Sequence, residues 1–354
     1  MKRRIPVFVG LDYGSQAVQV AVLDARGQLL GSRRVNNATL EIVQYAERFG
    51  RVAGAAIEAG NGTAALADEL IHRHGWPVRV AHPGYVRRMK QNPDKSDYSD
   101  ARLLADLCRV GYVPPVWLAP PAIRELRRLV RHRQALVDQG RAVKLRVSAL
   151  LRDHRLRRPE DMKRTWTQRH RAWLAGLATG GSLPPISRQL LADWLEDLAY
   201  LERRLARAET QLEQAVAEDP LVAWLLEQPC VGPVTACVLR AEVGCFGRFR
   251  TGKQLARYCG LTPRNASSGQ RQADAGLIQA GNRVLKATLI ELAHRLMTKV
   301  PHWMAFRARL RATGKAKCVV VAAVANRWVR RLVWEVQTAG LAAVAPPRAA
   351  EAVA

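Results

Sequence analysis

Four carboxylates, Asp12, Glu58, Asp97 and Asp100, have the residue type and the setting to do chemistry in this 354-residue chain. Asp12 closes an apolar run, Val7-Phe8-Val9-Gly10-Leu11, that reads as a strand. Glu58 closes a second short apolar run that starts at Val52. Asp97 and Asp100 stand three apart, so on a helix both share one face. Carboxylates converging from two strand ends and one helix can hold two magnesium ions, which activate an attacking oxygen and stabilise a leaving oxygen in phosphodiester chemistry. Hard oxygen ligands suit magnesium, and manganese accepts the same donors. Spacing alone leaves other roles open. Asp12 could cap a turn, Glu58 could sit in a surface ion pair, and Asp97 or Asp100 could cap a helix.

A second constellation lies in the last third. Gln228-Pro229-Cys230-Val231-Gly232-Pro233-Val234-Thr235-Ala236 resembles the hairpin of a helix-hairpin-helix, in which a tight turn at Gly232 and the next helix N-terminus offer backbone N–H groups to a phosphate. A plain packing turn between two helices reads equally from the same residues. Further on stand Leu261-Thr262-Pro263-Arg264-Asn265-Ala266-Ser267-Ser268-Gly269 and Gly281-Asn282-Arg283-Val284-Leu285. A Ser-Ser-Gly is ordinarily a turn, and it becomes chemical only where a base or metal activates the hydroxyl.

The elements that must position these groups can be read from periodicity. Residues 5–35 read as three strands with a turn at Asp24-Ala25-Arg26-Gly27. Strand and helix then alternate: a strand to Glu58, a helix over about 63–74, a strand over 77–81, a helix near 84–90 and another over 97–110. This order predicts an α/β domain with a mixed sheet and a doubly covered first strand. Pro114-Pro115 and Pro120-Pro121 punctuate its exit. From Ala122 the pattern is helical and basic as far as 171, carrying Arg124, Arg127, Arg128, Arg131, Lys144, Arg155, Arg158, Lys163 and Arg164. Leu191, Trp194, Leu198, Leu201, Leu205, Ala208, Leu212 and Ala215 then step by alternating three and four, which fits a helical hairpin, a coiled-coil dimer or a helix packed within its own domain. An all-α domain follows over 221–340, and the Ala/Pro-rich remainder reads as a disordered tail. The expected domains are 1–115, 116–220, 221–340 and the tail 341–354.

Composition narrows the partners. Lys and Arg number 56 against 30 Asp and Glu, a formal charge of +26 with pI near 11.0. An excess this large on a chain that is 48% apolar points to a folded protein whose partner is a polyanion, most simply nucleic acid. Cys230, Cys237, Cys245 and Cys259 are spaced 7, 8 and 14 apart, unlike a zinc module; with Cys108 and Cys318 they read as buried free thiols of a reducing compartment. Neither a signal peptide nor a membrane span is legible, so the expected location is the bacterial cytoplasm, at the nucleoid. Gly10-Leu11-Asp12-Tyr13-Gly14-Ser15 also resembles the phosphate hairpin of sugar kinases and actin-like ATPases. Against that reading stand the lack of a second phosphate loop or Gly-Gly adenosine motif and the strongly basic charge.

Taken together the motifs resemble one family, the DEDD transposases of the insertion-sequence group numbered one-hundred-ten, which includes the Piv-type invertases. The likeness runs through Val9-Gly10-Leu11-Asp12, Ile57-Glu58-Ala59-Gly60, Ala81-His82-Pro83 and Lys95-Ser96-Asp97-Tyr98-Ser99-Asp100-Ala101. It continues through Pro229-Cys230-Val231-Gly232-Pro233, Tyr258-Cys259-Gly260-Leu261-Thr262-Pro263, Ser267-Ser268-Gly269 and Gly281-Asn282-Arg283. The resemblance implies an RNase H-like, RuvC-like domain in which Asp12, Glu58, Asp97 and Asp100 hold magnesium. It implies a C-terminal serine that attacks DNA and forms a phosphoserine link; Ser268 stands immediately before the motif glycine, with Ser267 beside it. It also implies a structured guide RNA that pairs with target and donor DNA, and a homo-oligomer, dimer or tetramer, whose catalytic halves meet across subunits. Family members commonly continue Ser-Gly-Gly-Lys; here Gly269-Gln270-Arg271 follows, so the positive charge of Arg271 arrives one position late. Arg283 and the basic residues from 124 to 164 would hold nucleic acid. A junction nuclease using water, or a scaffold without catalysis, are the competing readings.

Overall fold

The computed structural model describes residues 5–89, 96–265 and 274–344. The chain divides into two compact units, Met1–Leu118 and Ala119–Ala354.

The first unit is built on a five-stranded sheet: β1 (Pro6–Tyr13), β2 (Ala17–Leu23), β3 (Leu29–Asn36), β4 (Arg51–Glu58) and β5 (Val78–Ala81). Helix α1 (Thr39–Glu47) precedes β4, α2 (Thr63–His72) precedes β5, and α3 (Pro83–Met89) and α4 (Asp97–Arg109) follow. The strand order is β3-β2-β1-β4-β5. β1 pairs antiparallel with β2 and parallel with β4, and β4 pairs parallel with β5. The mixed sheet and the central first strand are as the sequence pattern predicts. The Asp24 carboxylate accepts from the amides of Arg26 and Gln28 at 2.9 and 2.8 Å, which closes the expected turn.

Alternation along β1 divides the packing between the two faces. Val7, Val9 and Leu11 are fully buried among Ile42 and Ala46 of α1 and Leu66 and Leu70 of α2. Phe8 points to the other face, into a separate cluster with Leu104, Leu107 and Cys108 of α4. Helix α1 was not legible in the sequence. It buries Ile42, Val43, Tyr45 and Ala46, yet it has no side-chain N-cap and spans only 9 residues.

The second unit is helical: α5 (Pro121–Asp153), α6 (Gln168–Thr179), α7 (Pro185–Ala215), α8 (Pro220–Leu226), α9 (Pro233–Val243) and α10 (Gly252–Tyr258), then α11 (Arg283–Lys299), α12 (Pro301–Ala312) and α13 (Lys317–Thr338). A two-stranded antiparallel hairpin, β6 (Pro263–Asn265) and β7 (Asp274–Leu277), interrupts the helices, so the expected all-α domain is corrected. Helices α5 and α7 lie antiparallel: Arg133 bonds Glu209, Gly140 faces Leu198, and Val147 packs with Leu191. The heptad seam of α7 is therefore covered by α5 of the same chain, the hairpin alternative.

Two further expectations are corrected. The basic run to 171 is not helical throughout, because α5 ends at Asp153 and 154–167 is irregular. Arg155 and Trp166 take positive φ there, 54° and 64°, and Pro159 lacks an amide donor. The tail does not loosen at 342. The Ala342 carbonyl accepts from the Gly247 amide at 2.8 Å, and the Val344 carbonyl accepts from Arg240 at 3.3 Å.

The return of the 154–167 loop rests on His170, which is buried. Its Nδ1 accepts the Trp166 amide at 3.2 Å, so that nitrogen carries no proton. Burial, and secondly the charge of Arg158, hold the imidazole below its usual range. Unfolded, His170 binds a proton near its ordinary value of 6.5; folded, it does so only at lower pH. The unfolded state therefore binds more protons below about pH 6.5, and stability is lost as pH falls through that window. Thermal unfolding followed between about pH 7.5 and pH 5.5 should show a smaller acid loss in His170→Asn, whose amide oxygen accepts without titrating.

All six cysteines are free. Burial pushes the Cys237 thiol up to about 11 and Cys259 up to about 12, which makes both unreactive. Cys318 is exposed rather than buried, a departure from the sequence expectation. Among the described residues no helix is long and apolar enough to cross a membrane.

Candidate active site

The geometry of the first unit depends on a glycine. A Cβ on Gly10 would stand 1.8 Å from the carbonyl oxygen of Ala101 and 2.5 Å from the amide nitrogen of Ala105, so α4 lies directly on the β1 backbone. A Cβ on Gly54 of β4 would stand 2.8 Å from Sγ of Cys108. Gly54 pairs with Phe8 and Ala56 with Gly10, so moving toward the strand ends means moving toward the start of α4. The helix therefore runs antiparallel to β1 and β4 and presents its first turn at their C-terminal ends.

That arrangement puts Asp12 and Glu58 at the ends of two neighbouring strands, on the face that α4 covers, and Asp97 and Asp100 in the first turn of that helix. Asp12 shares the face of Gly10 and Phe8, and Glu58 shares the face of Ala56 and Gly54, because strand side chains alternate. Leu11 and Ile57 pair across the two parallel strands, and Asp12 and Glu58 come next on each. Asp97 precedes Ala101 by about one turn, ~6 Å, and Asp12 lies ~7 Å beyond Gly10. Asp100 is buried and Asp97 exposed. The N-cap of α4 is Ser96, whose Oγ accepts the Ser99 amide at 3.0 Å, so neither aspartate is the cap. Asp12 lies within β1 opposite Gln19.

These donors are hard oxygens on rigid elements, the set a divalent cation of the magnesium type prefers. Among the described residues, no three His, Cys, Asp or Glu side chains already stand grouped as a metal cage. The fold brings the strand ends and the helix start to one end of the sheet, and carboxylate oxygens are the donor type such an ion takes. Gly10→Ala should force α4 outward, costing about 1–3 kcal/mol by overpacking. Urea unfolding and hydrogen exchange at the α4 amides check this; a parental midpoint with unchanged α4 exchange would contradict it.

In the second unit, Ser267, Ser268 and Arg271 lie outside the described residues. The strands on either side of them are held at their base. Ile278 donates to the Thr262 carbonyl at 3.0 Å, and Asn282 donates to the Tyr258 carbonyl at 2.9 Å. Gly260 and Gly281 approach so closely that a Cβ on Gly281 would fall 2.6 Å from Gly260 Cα, which explains a glycine in both motifs.

A buried carboxylate that the sequence reading passed over ties this base to the rest of the unit. Glu242, 1% exposed, accepts from Arg131 at 3.0 and 3.2 Å and from the Asn282 side-chain amide at 2.7 Å. Asn282 in turn caps α11 through the Leu285 amide, and the Tyr258 hydroxyl donates to the Glu242 carbonyl at 3.0 Å. Arg127 donates to the Ala241 carbonyl at 2.7 Å, and burial lowers its affinity for its proton. The Glu242 hydrogen bond holds the Arg131 guanidinium more firmly charged than usual. A second buried pair, Asp219 and Arg240 at 2.6 Å, is fully sequestered. The available signal was two charges inside an otherwise apolar run, Pro233 to Val243.

The predicted nucleic-acid residues thus separate by location. Arg127 and Arg131 belong to the Glu242 network. Arg124 donates to the Ala119 carbonyl at 2.8 Å, Lys144 lies 5.4 Å from the Trp166 ring centre, and Arg128 pairs with Glu125. Arg155, Arg158, Lys163 and Arg164 are exposed on the irregular 154–167 loop, and Arg283 is exposed at the start of α11. Gly232 is the N-cap of α9, with nothing within 4 Å of where a Cβ would stand.

Comparisons with known proteins agree over both units. Residues 9–155 match the family model of DEDD transposases named for IS110, and residues 222–308 match that of the transposase IS116/IS110/IS902 family. The chain is 28% identical to a "Probable family 20 transposase" of Pseudomonas aeruginosa, over 82% of this chain and 83% of that one. It is 24% identical to the transposase for insertion sequence element IS1328 of Yersinia enterocolitica, over 94% and 97%. It is 24% identical to the transposase for insertion sequence element IS1111A of Coxiella burnetii, over 82% and 78%.

Proposed function

We propose, from the premise that this chain belongs to the IS116/IS110/IS902 family of insertion-sequence transposases, that it cuts and rejoins DNA by serine attack beside a magnesium-binding carboxylate cluster. The observation that carries this reading is that the C-terminal ends of β1 and β4, which bear Asp12 and Glu58, lie toward the first turn of α4, which bears Asp97 and Asp100. The sheet order β3-β2-β1-β4-β5, antiparallel on one side of β1 and parallel on the other, supports an RNase H-like, RuvC-like domain. The family's DEDD class implies divalent-metal use in general; magnesium, replaceable by manganese, is the ion that these donors favour. Once bound, the ion supplies Lewis-acid polarisation of the scissile phosphate.

The chain's own residues do the remainder. The hydroxyl of Ser268, or of Ser267 beside it, forms a bond to phosphorus. The bond from phosphorus to the leaving sugar oxygen breaks, and the serine proton ends on that oxygen. Rejoining reverses the exchange: a sugar hydroxyl of the partner strand displaces the serine oxygen, which recovers its proton. The turn at Gly232 and the start of α9 read as a helix-hairpin-helix-like phosphate contact, for which the open space over Gly232 is suited.

The exposed loop cations Arg155, Arg158, Lys163 and Arg164, with Arg283, Arg271 and Arg128, would hold DNA and a structured guide RNA. Arg124 and Lys144 would add to these contacts, while Arg127 and Arg131 would act from the Glu242 network. The domains read as catalytic (1–115), basic helical (116–220) and serine-bearing (221–340). Assembly as a dimer or tetramer belongs to the same reading, with contacts other than the α7 seam. The test is reconstitution: purified chain, DNA carrying the element's ends and target, RNA transcribed from the element, and magnesium. Joined strands are expected. Hydrolysed ends without joining would favour a water-using junction nuclease, and no strand change would favour a binding scaffold.

A further inference from the structure

A cavity of about 1230 Å³ opens in the second unit where α10, the β6–β7 hairpin, α12 and α13 meet. Its chemistry is divided. One side is apolar and aromatic, with Trp303 and Phe306 of α12 facing Leu277 of β7 across a stretch of α13 narrowed to Ala322 and Ala323. The rim is cationic, with exposed Lys253, Arg327, Arg330 and Arg331, and among the described lining residues there is no Asp or Glu. Arg331 has its charge answered by Glu335. Arg327 and Arg309 lie 5.2 and 5.3 Å from the Phe306 ring centre, and Trp303 meets that ring edge-on, so cations and aromatic rings adjoin on this side of the cavity. Lys253 and Arg330 are exposed.

A free anion has no use for the apolar floor, and an apolar peptide has none for the cations. A nucleotide has use for both: a flat base to stack in the cavity and a phosphate to meet the rim. The volume exceeds what a single base needs, so an unstacked base with its sugar can enter. Pro263 and Leu277, at the base of the hairpin between whose strands Ser267 and Ser268 fall in the sequence, line the same cavity. We infer that this cavity receives an unstacked base of the DNA strand being cut, with its flanking phosphate held by Arg330 and Lys253. The choice of DNA rests on the serine reading above; the cavity's affinity for a base and phosphate does not. Unstacking a base beside the scissile phosphate would draw that strand out of the duplex and hold it still for attack.

The probe is a single-stranded DNA of about twelve nucleotides carrying one 5-iodouracil, with an RNA of the same sequence as competitor. Photo-crosslinks are expected at Phe306, Trp303 or His302. Ala323→Phe, which fills the floor, and Arg330→Gln, an exposed change on the rim, are each expected to weaken binding about tenfold, as loss of a stacked base or of a phosphate contact does. Crosslinks outside the cavity would overturn the inference, as would parental affinity in both variants with parental thermal unfolding. Tighter binding of the RNA would overturn the assignment to DNA. Covalent serine–DNA linkage is scored separately on the same protein. Linkage with unaltered binding in the variants fails the cavity alone; cavity crosslinks without linkage fail the serine reading alone.

Discussion

Asp12→Asn is expected to lower DNA strand cleavage by at least about a thousandfold while leaving the fold in place. The substitution keeps the shape of the side chain and the strand pairing of residue 12 with Gln19, so β1 stays central in the sheet. What it removes is a negative charge at the strand end proposed to share a cation with Glu58, Asp97 and Asp100. A bound cation stabilises transition-state charge by several kcal/mol, and each ~1.4 kcal/mol is a factor of ten in rate. If Asp12 is a ligand of the proposed four-carboxylate set, its loss reaches three powers of ten or more. Single-turnover cleavage in magnesium measures it, with thermal unfolding as the control for folding. Cleavage within a few-fold of the parent, in a protein that unfolds like the parent, would remove Asp12 from the chemistry.

Arg240→Met is expected to cost about 3–5 kcal/mol of stability in the second unit, because it strands a carboxylate in the core. Asp219 and Arg240 both have no side-chain exposure, and Nε of Arg240 lies 2.6 Å from Asp219. The same carboxylate caps α8 through the amides of Leu221 and Val222, and Arg240 also reaches the Val344 carbonyl. Removing the arginine leaves the Asp219 charge without its counter-ion and the carbonyl without its donor. Adding Asp219→Asn removes that charge while an amide oxygen can still cap the helix. The double variant should therefore recover much of the loss, as buried ion pairs replaced together often do. Urea unfolding of the four proteins gives the coupling; equal stability of single and double variants would contradict it.

Much of the first unit could be read directly. The run Val7 to Leu11 reads as a central strand, and the carboxylates closing two such runs come to the same end of the sheet because those strands are parallel neighbours. What the residues could not convey is the close approach that makes the meeting useful. Gly10 reads as one more small residue in a strand, and only the position of α4 shows that a methyl there would collide with Ala101. Helix α1 escaped because it is short and uncapped, so tertiary burial of Ile42 and Ala46 carries it more than local preference. The β6–β7 hairpin escaped because strands of 3 and 4 residues leave no alternation to detect.

The basic residues of the second unit were the hardest to interpret. Arg127, Arg128 and Arg131 are alike in sequence, and only α9 packed beside α5 distinguishes them by bringing Glu242 to two of the three. The heptad repeat of α7 announced a partner helix without saying whose; α5 of the same chain fills that place. The serine segment rests on family likeness, supported by the paired glycines 260 and 281 that fasten its flanking strands.

The central claim, cutting and rejoining through serine, is tested most directly by trapping the protein on its DNA. The purified chain is mixed with end-labelled element DNA and RNA transcribed from the element, with magnesium or with chelator, denatured, and separated by size. A labelled protein–DNA species should form in magnesium, vanish with chelator and with Asp12→Asn, and be lost on Ser268→Ala while Ser267 is intact. Peptide mapping should find the phosphodiester on Ser268. Cleaved DNA with no protein attached, or an adduct that survives replacement of both Ser267 and Ser268, would contradict the account.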